Sequence, residues 1–165
     1  MSRIIDNLLK LKYDYTMYFD GAVEPKNPGG HVGYGFYIED RDGNIVADGS
    51  FYEEEDEHNT NNYAEHMGAL EGMLKLKEII KKRNSKKLSV KICGDSMLVI
   101  KQLIGKWRIK QGYYVGAATK GYQVARELEE LTENVFFNWI PRELNFLADD
   151  YSIIELVKRG VERKY

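Results

Sequence analysis

Scarcity is informative in this chain. A single cysteine, Cys93, excludes an internal disulfide and fits a reducing compartment. The three histidines, His31, His58 and His66, are scattered and form no zinc spacing with it. Prolines number only three, and no linker, repeat or low-complexity tract divides the chain. No apolar run approaches the roughly 20 residues needed to span a membrane. The start, M-S-R-I-I-D-N-L-L-K, has an acid inside its short apolar stretch and no small-residue cleavage site, so a secretory signal is not expected. Also missing are a G-x-x-x-x-G-K-[ST] nucleotide loop, a G-x-S-x-G elbow and a Cys–His nucleophile pairing. A basic surplus is absent too. The 24 Lys and Arg face 26 Asp and Glu, a formal net charge of −2, without the basic footprint usual for nucleic-acid partners. The expectation is an intracellular, cytoplasmic protein with no membrane contact and no obligate protein partner, a monomer.

What is present reads as one compact globular domain, since 165 residues are too few for two ordinary ones. Residues 1–12 look like a short amphipathic lead-in, and residues 13–165 like the domain. Residues 13–20 (Y-D-Y-T-M-Y-F-D) are aromatic and apolar on both parities, as in a central strand. A glycine-rich loop leads to a second strand at 32–40, an R-D-G-N turn and a third strand, an antiparallel meander. A long helix runs from a Thr60 or Asn61 cap to about Arg83. Its Glu65, Gly68, Ala69, Gly72, Leu76 and Ile79 share one face, with Met67, Leu70 and Leu74 opposite. Such a helix is wedged between a sheet and another helix. A strand ending in Asp95, a helix at 97–104, a polar aromatic loop at 105–116, a helix at about 119–132, a strand at 134–140 and a helix from Asn145 complete the order β-β-β-α-β-α-α-β-α. Strand–helix–strand units favour parallel pairing with right-handed crossovers. The fold class is α/β, a mixed sheet flanked by helices on both faces.

Four acids stand where α/β folds build sites, at strand ends and helix starts. Asp20 ends the first strand, Glu65 opens the long helix, Asp95 ends the fourth strand and Asp149 lies early in the last helix. Each alone has an ordinary explanation as turn former, cap, dipole partner or surface charge. Together, four carboxylates repel unless a cation sits among them, and hard oxygen donors in that number select Mg²⁺ or Mn²⁺ over Zn²⁺. Divalent ions would also reverse the small negative net charge. Clustered acids with hard metals point to phosphoryl chemistry.

Four stretches carry a family resemblance: F-D-G-A with N-P-G-G-H-V-G-Y-G, then T-N-N-Y-A-E, then C-G-D-S with V-I-K-Q-L, then W-I-P-R-E-L-N-F-L-A-D. In this order and spacing the chain resembles type 1 ribonuclease H from about Tyr13 to the last helix. The resemblance implies an RNase H-like fold, a five-stranded mixed sheet with three antiparallel and two parallel strands. It implies an endoribonuclease that cleaves the RNA strand of an RNA–DNA hybrid with two Mg²⁺ ions, leaving 5′-phosphate and 3′-hydroxyl ends. Asp20, Glu65, Asp95 and Asp149 take the four acidic, metal-holding positions. Asp149 is four residues after Asn145; Asp150 is about 100° further round the helix and faces elsewhere.

The same resemblance makes Asn27, Asn61, Asn62 and Ser96 candidates for reading 2′-hydroxyls in the minor groove, and Thr60 for a DNA-strand phosphate. Thr60 and Asn61 also suit simple helix capping, and Asn27 a turn. The stretch G-K-W-R-I-K-Q-G-Y-Y interleaves bases with aromatics, so Trp107, Arg108 and Lys110 are candidates for a phosphate-facing rim. Two departures stand out. V-E-P-K lengthens the loop before Asn27, and the loop P-R-E-L lacks the histidine many members carry before the last acid, leaving Arg142 or Glu143 to fill its role. The alternatives are a resolvase- or transposase-type nuclease, against which T-N-N and N-P-G argue, and a non-catalytic hybrid-binding module, which would be expected to lack an acid.

Overall fold

The computed structural model describes residues 12–164. Most of the expected lead-in, residues 1–11, lies outside the described residues. The elements are β1 (Tyr15–Glu24), β2 (His31–Asp40), β3 (Ile45–Glu53), α1 (Asn61–Arg83), β4 (Ser89–Gly94), α2 (Met97–Leu103), α3 (Val115–Leu131), β5 (Asn134–Trp139), a 3-10 turn (Arg142–Leu144) and α4 (Phe146–Lys158). They form one sheet in the order β3-β2-β1-β4-β5. The β1–β2 and β2–β3 pairs are antiparallel, and β1–β4 and β4–β5 are parallel. The expected class, order of elements along the chain and mixed sheet therefore hold.

Local chemistry explains the boundaries. The β2–β3 turn closes because the Asp40 carboxylate accepts from the Asp42 and Asn44 amides, while Gly43 supplies a φ of +83°. Thr60 caps α1 by accepting from the Tyr63 amide, and Ser96 caps α2 by accepting from Val99. Two boundaries differ from the sequence reading. β1 continues to Glu24, because β2 stays paired beside it through the Glu24–His31 register. Asp20 thus lies inside the strand rather than at its end. α3 begins at Val115, not near Thr119; Ala117 and Ala118 favour the helix and outweigh Gly116 in its first turn.

The main core lies between the sheet and α1, α2 and α3. It contains Met17, Phe19, Phe36, Ile38, Leu76, Ile80, Val90, Ile92, Leu103 and Leu128, all buried. α1 is held between the sheet and α3, as its two-sided apolar pattern requires. α4 covers the opposite face of β2 and β1. A Cβ at Gly35 would meet Tyr151 at 2.7 Å, so β2 must be bare there for α4 to approach. Among the described residues, no helix is long and apolar enough to cross a membrane.

Candidate active site

The parallel pairing of β1 with β4 ends at Tyr18 and Cys93. Beyond that point the strands no longer bond to each other, and Asp20 and Asp95 flank the gap. This is the carboxyl end of the parallel strands, where open α/β sheets place their sites. Glu65 comes from the second turn of α1 and Asp149 from the first turn of α4. All four carboxylates line one cleft of about 240 Å³, with Gly21, Glu24, Asn61, Arg142 and Arg163 also on its wall.

Backbone proximity sets this convergence. A Cβ on Gly21 would lie 2.3 Å from the Ala64 carbonyl carbon and 2.4 Å from the Glu65 nitrogen. One on Gly68 would lie 2.5 Å from the Asp20 carbonyl oxygen. Only glycine at both places lets α1 touch β1, and that contact brings Glu65 beside Asp20. On the far side Asn145, fully buried, donates to the Phe19 carbonyl at 3.0 Å and hydrogen bonds to Asp95. Its side chain makes no cap bond to α4. It ties the last helix to the strand that carries Asp20, a structural task that its place at a helix start does not reveal.

The acids are electrostatically strained. Burial pushes Asp20 well above the usual carboxylate range. Asp95, Glu65 and Asp149 add to the push, and the Gly21 amide, donating at 2.9 Å, opposes it. Burial raises Glu65 to about 7, opposed by a hydrogen bond with Ser96 and by Arg142, while Asp95 adds to it. Asp95 is also raised, chiefly by burial, against the pull of Asn145 and Arg142. Such a cluster lacks positive charge.

Two arginines supply part of it. Arg142 stands in the cleft wall, whereas Glu143, its neighbour in P-R-E-L, is exposed and outside it. Arg163, in the segment after α4, donates to both oxygens of Asp149 at 2.8 and 3.0 Å. The next residue's amide, Lys164, donates to Glu24 at 2.7 Å, and Glu24 is buried in the same wall. Glu24 and Arg163 escape a sequence reading because they belong to no motif and lie at opposite ends of the described chain. Among the described residues, no group of three or more His, Cys, Asp or Glu side chains is arranged to hold a metal ion as it stands. The donor set is nevertheless all carboxylate, with Asp20, Glu65 and Asp95 raised chiefly by burial, which suits a hard divalent cation better than any softer metal.

The other predicted residues divide. Asn61 lines the cleft, its side-chain Oδ1 accepting from the Val23 amide. Asn27 accepts from the Asn61 amide at 3.2 Å, so the N-P-G loop and the T-N-N motif are joined. Asn62 is exposed beside them. Thr60 and Ser96 cap their helices, and Ser96 also reaches Glu65. Trp107, Arg108 and Lys110 border a separate groove. Asp150 is exposed and lines a different hollow with Ile153, Ile154 and Val157.

The model of one family, RNase H, matches residues 12–143. Solved structures agree. RNase H1 from the halophilic archaeon Halobacterium salinarum NRC-1 is 27% identical, with a TM-score of 0.66 over 87% of this chain and 98% of its own. LC11-RNase H1, isolated from compost by a metagenomic approach and solved in complex with RNA/DNA hybrid, is 28% identical, with a TM-score of 0.67 over 83% and 92%. The N-terminal RNase H domain of rv2228c from Mycobacterium tuberculosis shares the fold at 22% identity, with a TM-score of 0.68 over 90% and 98%. The family match stops before Asp149, whose place rests on the N-F-L-A-D motif and on the cleft itself. The chain belongs to the RNase H family.

Proposed function

We propose that the protein is a metal-dependent endoribonuclease that hydrolyses the RNA strand of RNA–DNA hybrids. The observation that carries this reading is the convergence of Asp20, Glu65, Asp95 and Asp149 in one cleft, three of them buried enough to be raised above their ordinary range. Family membership and the hybrid bound by LC11-RNase H1 support the substrate class.

Asp20, Glu65, Asp95 and Asp149 would hold two Mg²⁺ ions, with Mn²⁺ able to substitute. When bound, such a pair supplies an activated water and offsets the charge that gathers on the phosphate and leaving oxygen. The chain's own residues do the rest. Asp20 feels all three other acids, so it would be the central carboxylate of the set that holds the cations. The Gly21 amide fixes its orientation, and Asn145 fixes Asp95 against β1. Arg163 donates to both oxygens of Asp149 and leaves a lone pair on each, so Asp149 would share its carboxylate between the arginine and a bound cation. Arg142 keeps a cation beside Glu65 and Asp95, where the scissile phosphate would approach. The products would carry 5′-phosphate and 3′-hydroxyl ends.

Asn27, Asn61, Asn62 and Ser96 present amide and hydroxyl groups near the acids. Such groups both donate and accept, as reading a 2′-hydroxyl requires. Thr60 stands with them as a contact for the DNA strand. The test is a panel of strand-labelled RNA–DNA, RNA–RNA and DNA–DNA duplexes with Mg²⁺, Mn²⁺ or EDTA. Cleavage confined to the hybrid's RNA strand and abolished by EDTA is expected. Cutting of the DNA duplex at a similar rate would transfer the reading to a resolvase-type nuclease.

A further inference from the structure

A buried polar relay leads from the acid-bearing helix to the basic, aromatic loop at 105–114. His66 follows Glu65 on α1 and is 1% exposed. Its Nε2 lies 2.7 Å from Oε1 of Gln102, itself 2% exposed on α2, the helix that follows Asp95. The amide nitrogen of Gln102 donates to the Arg108 carbonyl at 3.0 Å and to the Tyr114 hydroxyl at 3.3 Å. That hydroxyl also accepts from the Lys110 amide at 3.0 Å. With the Gln102 nitrogen committed as donor, its oxygen must accept, so His66 carries its proton on Nε2. His66 Nδ1 is then a bare acceptor, and it is buried with no hydrogen-bond partner. The Tyr114 ring stacks on the His66 ring, 5.4 Å between centroids and 18° from parallel. The preceding residue, Tyr113, packs on His58 and Tyr63, which bracket residues 60–62.

A core position one residue from Glu65 has no packing need for an imidazole with an unsatisfied nitrogen. What the relay does is pin the backbone at Arg108 and Lys110, two points inside the loop that otherwise has few bonds to the body. We propose that His66, Gln102 and Tyr114 are positioning residues: they hold the 105–114 loop in fixed register with Glu65, Asp95 and residues 60–62, so that a hybrid engaged by the loop is presented to the carboxylates. This rests on the reading of the protein as a hybrid nuclease.

The test is Tyr114→Phe, which keeps the stacked ring and removes only the hydroxyl, with His66→Leu as a second break in the relay. Amide exchange at Lys110 is measured in the free protein, and KM and kcat on a hybrid. The expected result is Lys110 exchange and KM both raised roughly fivefold, with kcat held within about twofold. Arg108→Ala and Lys110→Ala serve as comparison, since they alter the loop without touching the relay's side chains. If they raise KM while Tyr114→Phe changes neither KM nor Lys110 exchange, the relay does not position the loop. A lower melting temperature with unchanged KM in Tyr114→Phe would show a stabilising role alone and overturn the proposal. Unchanged KM in the loop variants would remove the loop from the substrate surface, and the proposal with it, while hybrid cleavage by the wild type would leave the proposed function standing.

Discussion

The acid cleft and the 105–114 loop are held to the body by different means. At the cleft, backbone lies against backbone: α1 touches β1 at Gly21 and Gly68 with no room for a methyl group. At the loop, a few hydrogen bonds from Gln102 and Tyr114, two amides on the Lys101 carbonyl and the packing of Tyr113 do the holding. The acids repel one another, so only a stiff frame can keep them together without a cation. The loop has no such repulsion to resist. The proposed chemistry is thus mounted on the rigid part and the proposed substrate contact on a tethered part, the usual division between scaffold and loop.

Breaking the cleft should have the largest effects. Asp20→Asn is expected to lower hybrid cleavage by on the order of 10³-fold, with a circular dichroism spectrum like the wild type's. Its melting temperature without metal should rise by about 2–4 °C, because a buried, repelled charge is gone. Next comes the aspartate doublet. Asp149→Asn should cost about 10²-fold in kcat, and Asp150→Asn, on an exposed residue outside the cleft, less than about twofold. Equal losses would show that the cleft does not distinguish them. Gly21→Ala tests the frame itself. The added carbon would meet the Ala64 and Glu65 backbone, so a loss of about 1–3 kcal/mol in chemical denaturation is expected, together with reduced cleavage as Glu65 is pushed away.

The pH dependence of stability is a smaller and more general signature. Asp20, Glu65 and Asp95 are raised in the folded protein, so the folded state binds protons that the unfolded state has released. Their favourable contribution is complete below the ordinary carboxylate range and is lost as pH rises, for Glu65 through about 7. Without metal, the melting temperature should fall between pH 5 and pH 8 in a buffer series, and Glu65→Gln should flatten that slope. The smallest expected effect belongs to the loop. Arg108→Ala should reduce the slope of log affinity against log salt by about 1 if its guanidinium meets a phosphate; an unchanged slope would leave it a solvated cation.

Much of the fold was legible because its signals are local. The strand runs, the R-D-G-N turn and the Thr60 and Ser96 caps act within a few residues of themselves. Gly68 and Gly72 share the face of α1 that carries Glu65 and were legible for the same reason, whereas the close approach at Gly21 was not. Helical rotation alone separates Asp149 from Asp150, and the family motif chooses between them. What stayed hidden depends on distant chain. The extension of β1 past Asp20 is imposed by β2. Asn145 looks like a helix cap and is instead a brace to Phe19. Glu24, Arg163 and the His66–Gln102–Tyr114 relay become visible only once the elements are packed, since no spacing within a motif encodes them.

The most direct measurement is a calorimetric titration of Mg²⁺ into the wild type and Asp20→Asn, without nucleic acid and then with a non-cleavable hybrid. Binding by the wild type that strengthens with the hybrid and is lost in Asp20→Asn is the expected result. Equal Mg²⁺ affinity in both proteins would contradict the assignment of the four carboxylates as the metal-holding site.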